Sequence, residues 1–148
     1  MPLPPFTSTG DLPIGVHKAT LREMIERFGT ESPQRMLVAL RLEQIYRLAF
    51  ATGKVARFVV FGSFITSKAE PNDVDVFLLM DNEFDPLVLV GDTKILFDHT
   101  AAQAHFGASV FWLRRLAIFD TEQATIEYWQ TKRDLSLRGI VEFVEEST

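Results

Sequence analysis

The chain has 148 residues, a net charge of −5 at neutral pH and an apolar content of 47%. This length and composition predict one domain with a sizeable core, and the negative charge argues against a general affinity for nucleic acid. The absence of cysteine excludes disulfides, thiolate catalysis and cysteine-based zinc sites.

The first sixteen residues are rich in proline, glycine and threonine, and they lack the basic and apolar regions of a signal peptide. They predict an extended N-terminal arm over residues 1–16, followed by a single domain over residues 17–148. No apolar run approaches the length of a membrane span. We therefore expect a cytoplasmic protein with no membrane partner.

Two helices are expected before the first strand. Thr20 and Glu23 have the spacing of a capping box, which predicts a helix over Leu21–Phe28. A serine and a proline then predict the start of a longer helix over about residues 33–52. The apolar residues of this second helix that are expected to contribute to the core are Met36, Leu37, Leu40, Ile45 and Leu48.

The rest of the chain alternates between strand-forming and helix-forming segments. The predicted strands are residues 55–61, 73–80, 108–113 and 137–145. The predicted helices are residues 64–69, 93–106 and 120–132, and residues 81–92 fit either structure. The last strand ends in acidic residues and is expected at an edge of the sheet. These segments predict an α/β (α+β) domain with a mixed sheet of about four strands flanked by helices.

Residues 58–81 contain the strongest chemical pattern in the sequence. A strand ends at Gly62, Ser63 follows as a helix N-cap, and Asp73 and Asp75 stand one residue apart in the next strand. Because side chains alternate along a strand, both carboxylates are expected on the same side. Two such carboxylates repel each other unless a cation neutralises them, and their hard oxygens suit Mg²⁺ or Mn²⁺. Glycine permits close backbone approach and a helix start binds phosphate, so the pattern predicts a metal–nucleotide site.

Gly62-Ser63, nine intervening residues and then Asp-Val-Asp-Val at 73–76 resembles the signature of the nucleotidyltransferase superfamily related to DNA polymerase β, especially its small members. The resemblance covers residues 58–81 well and the remainder loosely. It implies that Gly62 and Ser63 hold the triphosphate of an NTP. It also implies that Asp73 and Asp75 are catalytic and bind the divalent ions that align an attacking hydroxyl on the α-phosphate.

Lys68 and Glu142 are two further candidates for this site. Lys68 lies between the Gly-Ser turn and the acids, where its ammonium could reach a phosphate, although an exposed lysine without a role fits equally well. The superfamily also supplies a third carboxylate from a later strand, but Ser109 occupies the place where that acid would be expected. Glu142, flanked by apolar residues in another predicted strand, is the substitute candidate for the third metal ligand.

Several functions are compatible with this site. The resemblance implies Mg²⁺-dependent transfer of a nucleoside monophosphate from an NTP to a hydroxyl acceptor on a protein, a tRNA or a small molecule. Small members of the superfamily often resemble antitoxins that modify or mask a toxin protein, so a protein partner or an RNA acceptor is expected. A second hypothesis is a catalytically weak module that binds nucleotide or a partner protein. A third interpretation assigns no function to these residues, which would then be an ordinary half-buried strand and an ordinary turn.

Other conspicuous residues receive structural interpretations. The adjacent basic pairs at 114–115 and 132–133 are expected on solvated faces rather than along a phosphate track. Trp112, Tyr128 and Trp129 are expected in the core or at an interface. His99 and His105 are six residues apart, on different faces of a predicted helix, and do not form a metal-binding set.

Overall fold

Five strands form one mixed sheet in the computed structural model, which describes residues 3–145. The strands are β1 (Gly15–Ala19), β2 (Val55–Phe61), β3 (Val74–Met80), β4 (Ala108–Arg114) and β5 (Gly139–Phe143). Their order across the sheet is β1-β5-β2-β3-β4. β1 is parallel to β5 and β3 to β4, whereas β2 is antiparallel to both of its neighbours. The predicted α/β class is confirmed, with five strands instead of about four.

The strand missing from the sequence prediction is β1, which begins inside the segment predicted as an extended arm. It pairs with β5 from Gly15 opposite Gly139 to Ala19 opposite Phe143. β5 therefore lies between β1 and β2, and the prediction of an edge position for the last strand is wrong. The sequence Gly-Val-His-Lys-Ala has little intrinsic strand preference, so its strand conformation depends on tertiary pairing with β5.

The helices flank this sheet. They are α1 (Leu21–Phe28), α2 (Pro33–Ala51), α3 (Gly91–Leu96), α4 (His99–Phe106) and α5 (Glu122–Tyr128). The predicted capping box is confirmed, since Thr20 and Glu23 exchange hydrogen bonds of 3.1 and 3.2 Å. The single helix predicted over residues 93–106 is two helices, because the Asp98 side chain caps the start of α4. No helix within residues 3–145 is long and apolar enough to cross a membrane.

Apolar layers cover both faces of the sheet. The larger layer combines alternate strand residues with buried residues of α1, α2, α3 and α4. The smaller layer lies under α5 and consists of Val59, Phe61, Phe77, Leu79, Ile126 and Ile140. Because side chains alternate along β3, Val76 and Leu78 face the larger layer, whereas Asp75 lies on the same side as Phe77. Asp75 is thus at the margin of the smaller layer.

The face by which α2 packs differs from the predicted one. Ile45 is buried as expected, together with Val38 and Leu42. Met36, Leu37 and Leu40 are instead exposed, with 55%, 44% and 64% of their surface accessible. The apolar residues of this helix surround it, so the sequence alone does not identify the side that contacts the sheet.

Arg35 of α2 is buried and fixes the loop that follows β2. Its guanidinium donates hydrogen bonds to four backbone carbonyls, those of Phe28 (3.0 Å), Phe64 (2.8 Å), Thr66 (2.7 Å) and Lys68. One side chain therefore ties residues 64–68 to the end of α1. This loop begins at Gly62-Ser63, so Arg35 sets the position of the turn.

We expect Arg35→Met to lower the free energy of unfolding by about 2–4 kcal/mol, because several carbonyls lose a charged donor. Arg47→Met is the matched control on the same helix, since Arg47 is exposed and its salt bridge within residues 3–145 is to Glu43. The free energy of unfolding of this control should fall by about 0.5 kcal/mol or less. Urea denaturation of the two variants measures both values, and equal losses would show that the Arg35 hydrogen bonds do not stabilise the fold.

Candidate functional site

The turn after β2 brings a glycine against a carboxylate. β2 and β3 pair antiparallel with Phe61 opposite Asp75, and Gly62 follows immediately. Gly62 has φ +89° and ψ −165°, a conformation that is essentially restricted to glycine. A Cβ placed on Gly62 would lie 1.9 Å from Oδ2 of Asp75. Glycine is therefore required here for its backbone conformation and for the approach of the carboxylate.

Asp73 and Asp75 are close enough to interact electrostatically. Burial, followed by repulsion from Asp73, raises the pKa of Asp75 to about 6. The Ser109 side chain and the positive charges of Arg138 and Arg133 act in the opposite direction. The two acids are therefore near each other, although Asp73 precedes β3 rather than lying within it.

The donor set formed by these two carboxylates fits a hard divalent cation such as Mg²⁺ or Mn²⁺. Two acidic oxygens would satisfy part of its coordination shell, and water or phosphate oxygens would complete it. Within residues 3–145, no group of three or more acidic or histidine residues could hold a metal ion. Asp73 and Asp75 therefore suit a cation that arrives with an anionic ligand better than a permanently bound ion.

The structure brings Ser109, and not Glu142, to the acid pair. Ser109 of β4 lies directly opposite Asp75 in the parallel register of β3 and β4. Glu142 lies opposite Val59, two residues before Phe61, which is the β2 residue opposite Asp75. It is also two strands away, which separates the two backbone positions by about 7 Å along the strands and about 10 Å across them.

Glu142 has a different partner. It is buried, and its carboxylate accepts two hydrogen bonds from Arg57, at 2.7 Å from Nε and 2.6 Å from Nη2. Arg57 neutralises the charge of Glu142 through this bidentate pair, and its guanidinium also lies 3.7 Å from the carboxylate of Glu122. The apolar-acid-apolar pattern around Glu142 reflects a buried salt bridge in β5, and the structure does not bring Glu142 together with Asp73 and Asp75.

Two cavities of about 410 Å³ each adjoin the Gly-Ser turn. We call them the cationic cavity and the aromatic cavity. The cationic cavity is lined by Thr9, Gly10, Asp11, Gly62, Ser63, Thr66, Ser67, Lys68, Lys132 and Arg138. The aromatic cavity is lined by Phe61, Gly62, Ser63, Asp75, Ser109, Phe111, Tyr128, Trp129, Thr131, Arg133 and Arg138. The turn and Arg138 form the wall that the cavities share.

The three residues predicted to contact phosphate all line the cationic cavity. Gly62 and Ser63 line it as well as the aromatic cavity, and Lys68 is an exposed residue of its lining. Lys132 also lines it, with its ammonium 2.7 Å from a carboxylate oxygen of Asp11. Sequence analysis missed Lys132 because it assigned the basic pair at 132–133 to a solvated face.

The aromatic cavity places flat side chains beside Asp75. Trp129 packs its ring against Phe61, Phe77 and Phe111, with centroids 4.7, 5.0 and 5.2 Å away. Tyr128 is two-thirds exposed. The expectation of a core or interface position fits Trp129, but its place on a cavity wall next to the acids could not be read from the sequence. Exposed aromatic faces of this kind can stack on planar ligands.

The fold and the site define an α/β domain with a carboxylate pair packed beside a glycine turn and a cationic cavity. The chain belongs to DUF6932, a family of unknown function, whose model matches residues 4–144. No curated protein and no solved structure matches the chain significantly. The family assignment thus covers nearly the whole chain and carries no activity with it, so the function has to be inferred from the site.

The raised pKa of Asp75 predicts a specific pH dependence of stability. A carboxyl with a folded pKa of about 6 and an unfolded value near 3.8 destabilises the fold progressively as pH rises through that interval. Asp75→Asn removes the ionisation. Relative to wild type, its free energy of unfolding should therefore increase between pH 4 and pH 6.5, by up to about 3 kcal/mol.

Urea denaturation in metal-free buffer across this pH range measures the difference. Glu70→Gln, which removes an exposed acid from the neighbouring loop, is the control and should follow the wild-type profile. A difference between Asp75→Asn and wild type that does not change with pH would contradict the burial and repulsion described for Asp75.

Gly62→Ala tests the contact between the turn and the acid. We expect a loss of about 2–4 kcal/mol in the free energy of unfolding, from an unfavourable backbone conformation and from the clash with Asp75. Gly53→Ala is the matched control, since Gly53 also has a positive φ but a Cβ there would meet nothing within 4 Å. That variant should lose only about 1 kcal/mol.

A double-mutant cycle separates the two contributions. In an Asp75→Ala background, the cost of Gly62→Ala should fall, because the clashing carboxylate is gone and only the cost of the backbone conformation remains. Chemical denaturation of the four variants gives the coupling energy. A cost of Gly62→Ala that is the same in both backgrounds would mean that Asp75 does not pack against the turn.

Proposed function

We propose that this chain is a nucleotidyltransferase-superfamily domain that binds an NTP with Mg²⁺ or Mn²⁺ and transfers the nucleoside monophosphate to a hydroxyl acceptor. One observation carries the proposal. The Asp75 carboxylate packs against the backbone of Gly62, so that the acid pair and the Gly-Ser turn form one continuous site. This is the arrangement that the sequence resemblance implies for a metal and a triphosphate bound together.

Each residue then has a defined role. Asp73 and Asp75 would hold the cation, which neutralises phosphate charge when it is bound. Gly62 allows phosphate oxygens to approach the backbone, and Ser63 offers a hydroxyl donor from the wall between the cavities. In the reaction, the acceptor oxygen bonds to the α-phosphorus and its proton is lost. The bond from that phosphorus to the bridging oxygen breaks, and pyrophosphate leaves.

The acceptor is proposed to come from outside the described fold. Within residues 3–145, the chain forms one sheet, its flanking helices and the connections between them, so no separate acceptor-binding unit is present in this range. Orientation of the acceptor is a large part of catalysis, so a protein partner, a tRNA or a small target must be presented to the cleft. We propose that the reaction takes place in the cytoplasm, where NTP and Mg²⁺ are available. We also propose that the chain acts like the antitoxin of a two-protein toxin–antitoxin system.

A second candidate function is favoured by the residues around the acid pair. Ser109 lies opposite Asp75, where the superfamily would place a third carboxylate, and Glu142 is engaged by Arg57. A two-carboxylate site can still bind a metal–nucleotide complex while supporting transfer poorly. The alternative is therefore a catalytically weak module that binds nucleotide or a partner protein and acts by occlusion.

The binding part of the proposal predicts a stabilisation that depends on the acids. Mg²⁺ with NTP at about 100 times the dissociation constant should add about 2.7 kcal/mol, and so raise the melting temperature by about 5–10 °C. Asp73→Asn combined with Asp75→Asn should abolish this increase while the protein still folds. Glu70→Gln combined with Glu83→Gln, which removes two exposed charges, should retain it. The same increase in the acid-pair variant would refute the site.

The transfer reaction is tested with α-labelled NTPs, Mg²⁺ and lysate of the host. We expect one protein or RNA species to acquire label with the wild type and not with the Asp73→Asn/Asp75→Asn variant. If metal-dependent NTP binding is present but no species is labelled, transfer is refuted and the binding module is supported.

A further inference from the structure

Arg138 has neither a side-chain hydrogen-bond partner nor a salt bridge in the part of the chain that the structure describes. It immediately precedes β5 and lines both the cationic and the aromatic cavity. Its Nε is buried and has no hydrogen-bond partner among residues 3–145. The guanidinium lies over the ring of Phe61, 5.4 Å from the centroid, which fixes its place on the shared wall.

The two acids that act on Arg138 are both engaged elsewhere. Asp11 accepts the ammonium of Lys132 at 2.7 Å and the hydroxyl of Thr9 at 3.0 Å. Asp75 packs against Gly62 and interacts with Asp73 and Ser109. A partly desolvated guanidinium is costly unless an anion accepts its hydrogen bonds. The free donors of Arg138 therefore indicate an anionic ligand.

The composition of the cationic cavity narrows the class of anion. Lys68, Lys132 and Arg138 contribute three positive charges, against the single carboxylate of Asp11. Hydroxyl-bearing side chains complete much of its wall. Its volume of about 410 Å³ accommodates more than one phosphate group. Several charges and donors around a space of this size match a polyphosphate better than a monophosphate or a carboxylate.

We propose that Arg138 and Lys132 form a polyphosphate subsite in the cationic cavity, which takes the phosphate groups of the ligand that lie beyond the acid pair. This subsite rests on the proposed function and names the residues that hold the phosphate tail of the ligand. It makes the ligand a nucleoside triphosphate or diphosphate rather than a monophosphate, with its phosphate tail toward Lys132. Neither basic residue belongs to the Gly-Ser or Asp-Val-Asp-Val motif.

The Lys132–Asp11 salt bridge gives the subsite a built-in competitor. An anion that contacts the Lys132 ammonium has to share it with the Asp11 carboxylate, and the two negative charges repel each other. Removal of the Asp11 charge should therefore strengthen anion binding. A purely structural role for Lys132 predicts no such gain.

The probe is inorganic pyrophosphate, titrated calorimetrically into the full-length protein in metal-free buffer. We expect wild type to bind it and Arg138→Met to bind it about tenfold more weakly or worse, the loss of one charge-assisted contact. Lys132→Met should weaken binding similarly, and Arg138→Lys should retain part of it. Arg22→Met, which removes an exposed positive charge on α1, should bind as wild type does.

Asp11→Asn is the complementary variant and should bind pyrophosphate about threefold to tenfold more tightly. Thermal denaturation of each variant without ligand verifies that it is folded. The subsite is refuted if wild type does not bind pyrophosphate, if Arg138→Met and Lys132→Met bind it as wild type does, or if Asp11→Asn binds it no more tightly.

The acid-pair variant Asp73→Asn/Asp75→Asn separates this inference from the proposed function. It should bind metal-free pyrophosphate at least as tightly as wild type, because it lacks two repelling charges, while it loses the effect of Mg²⁺ with NTP. Arg138-dependent pyrophosphate binding without any Mg²⁺–NTP effect in wild type would refute the proposed function and leave an anion site. Stabilisation of wild type by Mg²⁺ with NTP, without Arg138-dependent binding of pyrophosphate, would refute only the subsite.

Discussion

The contact between the Asp75 carboxylate and the backbone of Gly62 is the constraint on which the rest of the site depends. Antiparallel pairing of β2 and β3 sets Phe61 opposite Asp75, and the turn that follows has no space for a side chain. Arg35 donates to three carbonyls of the downstream loop and to that of Phe28 in α1, so the turn is fixed from both ends. Two strands and one buried arginine thus position an acid that would otherwise avoid burial beside another acid.

The distribution of charge around this turn explains how an acidic protein can have a site for a polyanion. The net charge of −5 argues against a broad affinity for nucleic acid. A protein with this net charge can still have a positive electrostatic potential at one site. Asp75 lies on one side of the turn, in the aromatic cavity, and Asp73 is close enough to repel it. Lys132 lies on the other side, in the cationic cavity, and Arg138 lies on the wall between the two cavities. A cation and a polyphosphate together would satisfy both sides, whereas either alone would leave one set of charges uncompensated. This complementarity connects the proposed metal–nucleotide site with the polyphosphate subsite.

The sequence predicted the features that depend on local order and short spacing. The α/β class and the capping box of α1 both follow from the order and spacing of neighbouring residues. The contact between Gly62 and the Asp75 carboxylate was not predicted, because the glycine was assigned to the approach of phosphate. Features set by distant pairing could not be predicted: β1 acquires its conformation from β5, and Arg57 reaches Glu142 across 85 positions of the chain. Arg138 was missed for the same reason, because only the sheet brings it beside a turn far away in sequence.

If Asp73, Asp75 and the Gly62-Ser63 turn bind a cation and a nucleotide as one unit, a crystal structure grown with Mn²⁺ and a non-hydrolysable NTP analogue should show it, because manganese is located by its anomalous scattering. We expect a manganese peak within coordination distance of both carboxylates and of a phosphate oxygen, with the phosphates against the turn. Manganese bound elsewhere, or a nucleotide that does not contact the turn, would refute this site.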